Sequence, residues 1–158
     1  DLLKDDQDVS ENAAITADCA LRLLGDRLPV AFRGCPILVI GWGRIGKCLG
    51  FELAKCGASV CIAARKTADL AMIKALGFDS VHIQDVQSDL LHFGAIINTV
   101  PAMLLPNMNC RPDCVCMELA SKPGMLGSQI INARGLPGQM APKESGKLIA
   151  ETFIRLSL

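Results

Sequence analysis

Residues 36–46 read PILVI followed at once by GWGRIG. An apolar run of strand length stops on a glycine, and the three glycines after it stand at the first, third and sixth places. This order predicts a strand, a tight phosphate-cradling turn and the start of a helix. Gly41 permits the turn, Gly43 lets backbone approach a pyrophosphate, and Gly46 allows close helix–strand packing. The helix N-terminus adds free N–H groups and the positive end of its dipole. Trp42, Arg44 and Ile45 fill the variable places. Trp42, the only tryptophan, is placed either to flank a cofactor or to pack against a neighbouring domain. Arg44 is placed to reach a pyrophosphate or a substrate carboxylate, or to stand in solvent.

The rest of the chain repeats the alternation. Ser10 predicts a helix N-cap, with Ala13, Ala17, Ala20, Leu21, Leu24 and Leu28 at helical spacing before Pro29. Residues 44–56 predict a helix with Ile45, Leu49, Leu53 and Cys56 on one face and Gly57 closing it. ASVCIAA predicts a second buried strand, and Thr67 caps a third helix ending at Gly77. DSVHI, GAIINT, VCMELA and QIINA predict four more strands, with a weak helix over 85–92. Pro142 opens a final helix with Leu148, Ile149, Thr152, Phe153 and Leu156 inward. Nearly all-apolar strands alternating with helices imply an α/β, Rossmann-type doubly wound, mainly parallel sheet of about six strands with helices on both faces.

The totals exclude several classes. Sixteen basic and sixteen acidic residues cancel, which leaves no electrostatic footprint for nucleic acid or an anionic membrane. The mean hydropathy is +0.36, which suits doubly buried strands and favours homo- or hetero-oligomeric association. No apolar run reaches the ~18 residues of a spanning helix. The start, DLLKDDQD, is unlike a signal peptide, so a reducing cytoplasm is expected for the eight cysteines. Cys110, Cys114 and Cys116 cluster in sequence, but the spacing differs from zinc-site CxxC pairs and no histidine completes a set of four. No metal is expected. The chain starts at Asp1 and has no methionine before Met72. The expectation is therefore a single NAD(P)-binding domain over 1–158, the C-terminal half of a longer chain whose substrate domain precedes it.

The end of the second strand bears on the choice of dinucleotide. An NAD-preferring chain places Asp or Glu about 20 residues after the glycines, for the ribose 2′-OH. Here Ala64, Arg65, Lys66 and Thr67 occupy that place. An arginine fork grips a 2′-phosphate that a carboxylate would repel, so NADP(H) is expected over NAD(H). The plain alternative is a solvated Arg65 and Lys66 at a strand end. Asn98, Thr99, Val100 and Pro101 end the fourth strand, and Leu119, Ala120 and Ser121 the fifth, where the nicotinamide half would lie. Lys122 is the sole charge in its loop, placed to orient an anionic substrate or to stand in solvent.

GWGRIG, IINTVP, ELASKPG and APKESG, in that order, resemble the cofactor domain of the D-isomer-specific 2-hydroxyacid dehydrogenases. That family's catalytic arginine and histidine are replaced by Ser121-Lys122-Pro123-Gly124 and Pro142-Lys143, and the only histidines, His82 and His92, match neither place. ENAAITADCALRLL, AARK, INTVPAMLL, ASKPG and GLPGQMAPKESG resemble the dipicolinate synthase A-subunit family of endospore-forming bacteria over about residues 10–155. This resemblance implies an NADP-dependent dehydrogenase for spore formation. It would oxidise a dihydro- or hydroxy-tetrahydrodipicolinate, a small dicarboxylate, beside a flavoprotein-like B subunit. Two substrate carboxylates call for cationic partners, and Lys122 and Lys143 are the candidate catalytic residues, with Arg44 on the same edge. The readings left open are a dinucleotide-sensing regulatory module and a 2-hydroxyacid dehydrogenase-like oxidoreductase.

Overall fold

The computed structural model describes residues 6–157. Helix α1 (Asp6–Arg27) precedes β1 (Pro36–Ile40), α2 (Arg44–Lys55), β2 (Ser59–Ala64), α3 (Thr67–Ala75) and β3 (Asp79–His82). A 3-10 segment (Val86–His92) leads to β4 (Ala95–Asn98), β5 (Val115–Glu118), β6 (Ile130–Asn132), α4 (Leu136–Met140) and α5 (Pro142–Ser157).

The six strands form one sheet in the order β3-β2-β1-β4-β5-β6, and every pairing is parallel. The strand sequences explain this. Both faces of a parallel sheet are covered, so its strands carry apolar residues at every position. Ile37 and Val39 turn to one face, where they meet Ala17 and Leu24 of α1, Leu49 and Leu53 of α2, and Ile73 of α3. Leu38 and Ile40 turn to the other face, covered by Val86 and Leu90 of the 3-10 segment with Phe93, Leu105 and Met125. Each fully buried Leu, Ile or Val among them contributes about 1.5–3 kcal/mol. Alanines at 13, 17 and 20 of α1 are buried, and their small size lets α1 lie close against α2.

Chain direction positions the site. From β1 the chain winds outward to β2 and β3, then returns past β1 to start the other half at β4. Ile40 is in register with Ala63 on one side and Asn98 on the other. The crevice of this reversal therefore opens beyond Ile40, between Gly41 and Thr99, where open α/β sheets hold ligands.

Several local expectations are corrected. Ser10 is not a cap: α1 starts four residues earlier, and the Ser10 hydroxyl donates to the Asp6 carbonyl (2.7 Å). Lys66, not Thr67, is the N-cap of α3, and no side chain caps that end. Cys56 is exposed rather than packed, because it follows the last turn of α2 as its C-cap. In α5, Leu148 (8% exposed) and Thr152 (0%) face inward, whereas Ile149 (58%) and Phe153 (65%) face outward. Only the 148/152 side of the predicted stripe faces inward, so the buried face is narrower than predicted. The Leu156 side chain lies outside the described residues. The short α4 interrupts the predicted loop before α5.

Candidate functional site

The glycine turn is built by close contacts to the sheet. Gly41 has φ +111°, the left-handed region in which a side chain is strained. Its N–H donates to the Ala63 carbonyl (2.9 Å). A Cβ added at Gly41 would run into Thr99 Oγ1, and one at Gly46 into the Gly41 carbonyl. Both positions are closed by the protein itself. Gly43 differs: a Cβ there would meet nothing within 4 Å. Gly43 is the N-cap of α2; no side chain caps the helix and its first turn holds no acid. The first α2 N–H groups and the dipole are thus free to meet an anion in the space over Gly43.

A cleft of about 330 Å³ begins there. Gly41, Trp42 and Gly43 form one wall, Ala64, Arg65, Lys66 and Asp69 the far end, and Ile83, Val100, Ala102 and Leu104 the remainder. The structure thus brings the glycine turn, the end of β2 and the start of the loop after β4 around one space. Arg65 and Lys66 are exposed at its rim. The Arg65 backbone is braced from β3. Gln84 N–H donates to His82 Nδ1 (3.3 Å), so Nε2 carries the hydrogen that the Arg65 carbonyl accepts (3.0 Å). Thr67 is exposed in the first turn of α3.

Trp42 does not need another domain to pack against. Its ring meets Phe51 (6.5 Å between centroids) and Phe78 (6.1 Å), and Lys47 Nζ lies 5.6 Å from its centroid. It is a fixed wall of the cleft. Arg44 forms an ion pair with Asp6 (2.9 Å), both groups being exposed, a pairing worth little in water. Arg44 and Ile45 line a second, smaller hollow with Gly43 and Thr99.

Thr99 fastens the turn from the other side. Its N–H (2.9 Å) and hydroxyl (2.8 Å) both donate to the Ile40 carbonyl. Asn98 is fully buried. Its Nδ2 donates to Glu118 Oε1 (2.8 Å) and to the Val100 carbonyl (2.9 Å), and its Oδ1 accepts from Val100 N–H (3.1 Å). Glu118 is 2% exposed and also accepts from Ala120 N–H (3.1 Å) and Gly124 N–H (2.8 Å). This carboxylate organises the loop that carries Ser121 and Lys122. Leu119 and Ala120 are buried beneath it, while Pro101, Ser121 and Lys122 are exposed. Lys143 is exposed in the first turn of α5. Neither Lys122 nor Lys143 lines the cleft.

Sequence reasoning missed Glu118, Asp69, Ile83 and His82 as parts of this edge. Glu118 left a signal, an acid inside the apolar run VCMELA. Two thiols on β2 and β5 are held in the protonated form. Burial, with Asp79 second, pushes Cys61 up to about 11; Cys116 is raised by its hydrogen bond with Cys114 and by burial. Among the described residues, no helix is long and apolar enough to cross a membrane.

No family model matches the chain. The dipicolinate synthase A-subunit of Bacillus subtilis (strain 168) is 29% identical over 156 residues, which covers 92% of this chain and 52% of that protein. The chain thus spans about half the length of the curated relative it matches. Among solved structures, the dipicolinate synthase A-subunit from Bacillus halodurans superposes with a TM-score of 0.89 at 28% identity, over 98% of this chain and 57% of that one. Its counterpart from Bacillus subtilis gives 0.89 at 27%, over 99% and 56%. The transhydrogenase from Sinorhizobium meliloti shares the fold, with a TM-score of 0.77 at 16% identity over 94% and 54%. In both sequence and fold, this chain is similar to the dipicolinate synthase A-subunit.

Proposed function

We propose that this chain is the NADP-binding domain of a dehydrogenase that oxidises a dihydro- or hydroxy-tetrahydrodipicolinate to dipicolinate. The observation that carries the reading is the cleft itself. It runs from the uncapped α2 N-terminus and the open space over Gly43 to Arg65 and Lys66 at the end of β2. Those two ends match the pyrophosphate and the 2′-phosphate of one extended dinucleotide. Trp42 and Val100 flank the path between them.

Asp69 favours a second reading. It lines the same end of the cleft, and a carboxylate there suits the free 2′-OH of NAD. Two cations against one acid make NADP(H) the stronger reading. In the reaction, the nicotinamide, when bound, accepts the hydride. The chain's own residues hold the substrate ring and its carboxylates in place. Lys122 and Lys143 are the proposed cationic partners of those carboxylates, acting with residues outside the 158 of this chain. A preceding substrate domain and a flavoprotein-like second subunit complete the proposal, as does a cytoplasmic setting.

Equilibrium titration with NADPH and NADH tests the reading, followed through Trp42, the only tryptophan. Tighter NADPH binding supports it, and tighter NADH binding transfers the assignment to Asp69. Formation of pyridine dicarboxylate by the full-length protein with NADP⁺ tests the reaction. Tight dinucleotide binding without product would instead favour a sensing module.

A further inference from the structure

We propose that Cys110, Cys114 and Cys116 form a three-thiolate site for a zinc-class divalent ion, separate from the dinucleotide cleft. Cys116 lies in β5, and Cys114 immediately precedes that strand. Alternate residues of a strand share a face, so these two sulfurs project together. The loop between β4 and β5 folds back and delivers Cys110 to the same point. The three sulfurs all lie within 4.8 Å of one another. Cys110 Sγ is 3.8 Å from Cys116 Sγ, which is 3.9 Å from Cys114 Sγ.

Those separations fit a metal. Three sulfurs at corners of a tetrahedron about 2.3 Å from a zinc ion stand about 3.8 Å apart. The cluster is thus assembled before an ion arrives. The spacing in sequence lacks a fourth ligand, and the fold supplies a place for one. A cavity of about 220 Å³ opens against Cys110 and Cys116, with Met108, Ser128 and Gln129 in its wall. A water or an added ligand entering there would complete four-coordination, the arrangement of zinc sites with one open position.

Ligand type selects the ion. Three sulfurs and no carboxylate exclude magnesium and calcium, which take oxygen. A monovalent soft ion would leave two negative charges in a partly buried place, whereas a divalent ion leaves one. Arg111 nearby is already paired with Asp113 through two hydrogen bonds (2.9 and 2.7 Å). Binding balances as one divalent ion taken up and three thiol protons released to solvent, with no change of oxidation state.

The test uses the full-length protein, reduced, stripped with chelator and kept anaerobic. Titration with Co(II) should give thiolate-to-metal charge transfer and the intense visible bands of a tetrahedral site, saturating at one ion per chain and displaced by Zn(II). Zinc affinity is then read by competition with a chromophoric chelator. Cys110→Ser, on a half-buried loop position, should lower affinity more than about 100-fold, beyond what losing an outer partner costs. Cys61→Ser should leave affinity unchanged. Absent charge transfer, or equal zinc affinity in these two variants, would overturn the proposal. So would oxidation of the triad to a disulfide in a protein that takes up no Co(II).

Discussion

Asn98 at the end of β4 and Glu118 at the end of β5 are register partners, joined by a 2.8 Å hydrogen bond inside the carboxyl edge of the sheet. Their side chains hold the two loops that follow, Val100 on one side and Ala120 and Gly124 on the other. Glu118→Ala should leave one of the two Asn98 Nδ2 hydrogens and two backbone N–H groups without an acceptor. A loss of about 3–5 kcal/mol is expected, read from the urea midpoint. Glu118→Gln should cost about 1–2 kcal/mol, because one amide oxygen can still accept. A loss below about 1 kcal/mol for the alanine variant would show that water replaces the carboxylate.

The glycine turn separates folding from binding. Gly46→Ala puts a carbon against the Gly41 carbonyl, and backbone yields little. A destabilisation of about 2–3 kcal/mol is expected from such overpacking. Gly43→Val enters open space and should change stability by less than about 1 kcal/mol, yet abolish binding of both dinucleotides. If Gly43→Val binds NADPH with unchanged affinity, the pyrophosphate does not lie over this turn.

Arg65 and Asp69 should act in opposite senses. Arg65→Asp is expected to weaken NADPH by about 2–3 kcal/mol, a charge-assisted contact replaced by repulsion, while NADH changes little. Asp69→Asn should strengthen NADPH several-fold by removing the one carboxylate in the cleft wall among the described residues. Equal losses of NADPH and NADH in Arg65→Asp would mean that Arg65 reads a feature common to both.

Much of this was legible before folding. Continuous apolar runs announced the strands, and the run into Gly41 announced the crevice. The β4–β5 register was not legible, because it joins residues twenty positions apart, and so the Asn98–Glu118 brace was hidden. Asp69 sits in a helical pattern and looks like any first-turn acid. The inward side of α5 was misjudged because both 148/152 and 149/153 give helical stripes. Packing against α1 and α4 chooses between them.

Cys61 sets a pH limit. Its folded-state titration lies near 11, above the ordinary 9.0. The native state therefore holds its proton longer than the unfolded chain. Stability should be unaffected by this group below pH 9 and decline between 9 and 11. Cys61→Ser should flatten part of that slope in urea midpoints measured across the range. Alkylation at neutral pH should strike the exposed Cys56 well before Cys61; the reverse order would contradict the burial.

The hydrogen bond from His82 to the Arg65 carbonyl has a consequence for redesign. The backbone that presents Arg65 and Lys66 is held from the neighbouring strand, so residues 65–67 are not a self-contained selectivity cassette. A graft that exchanges them alone would keep the old backbone under new side chains. One that transfers residue 82 as well would carry the support with the reading head.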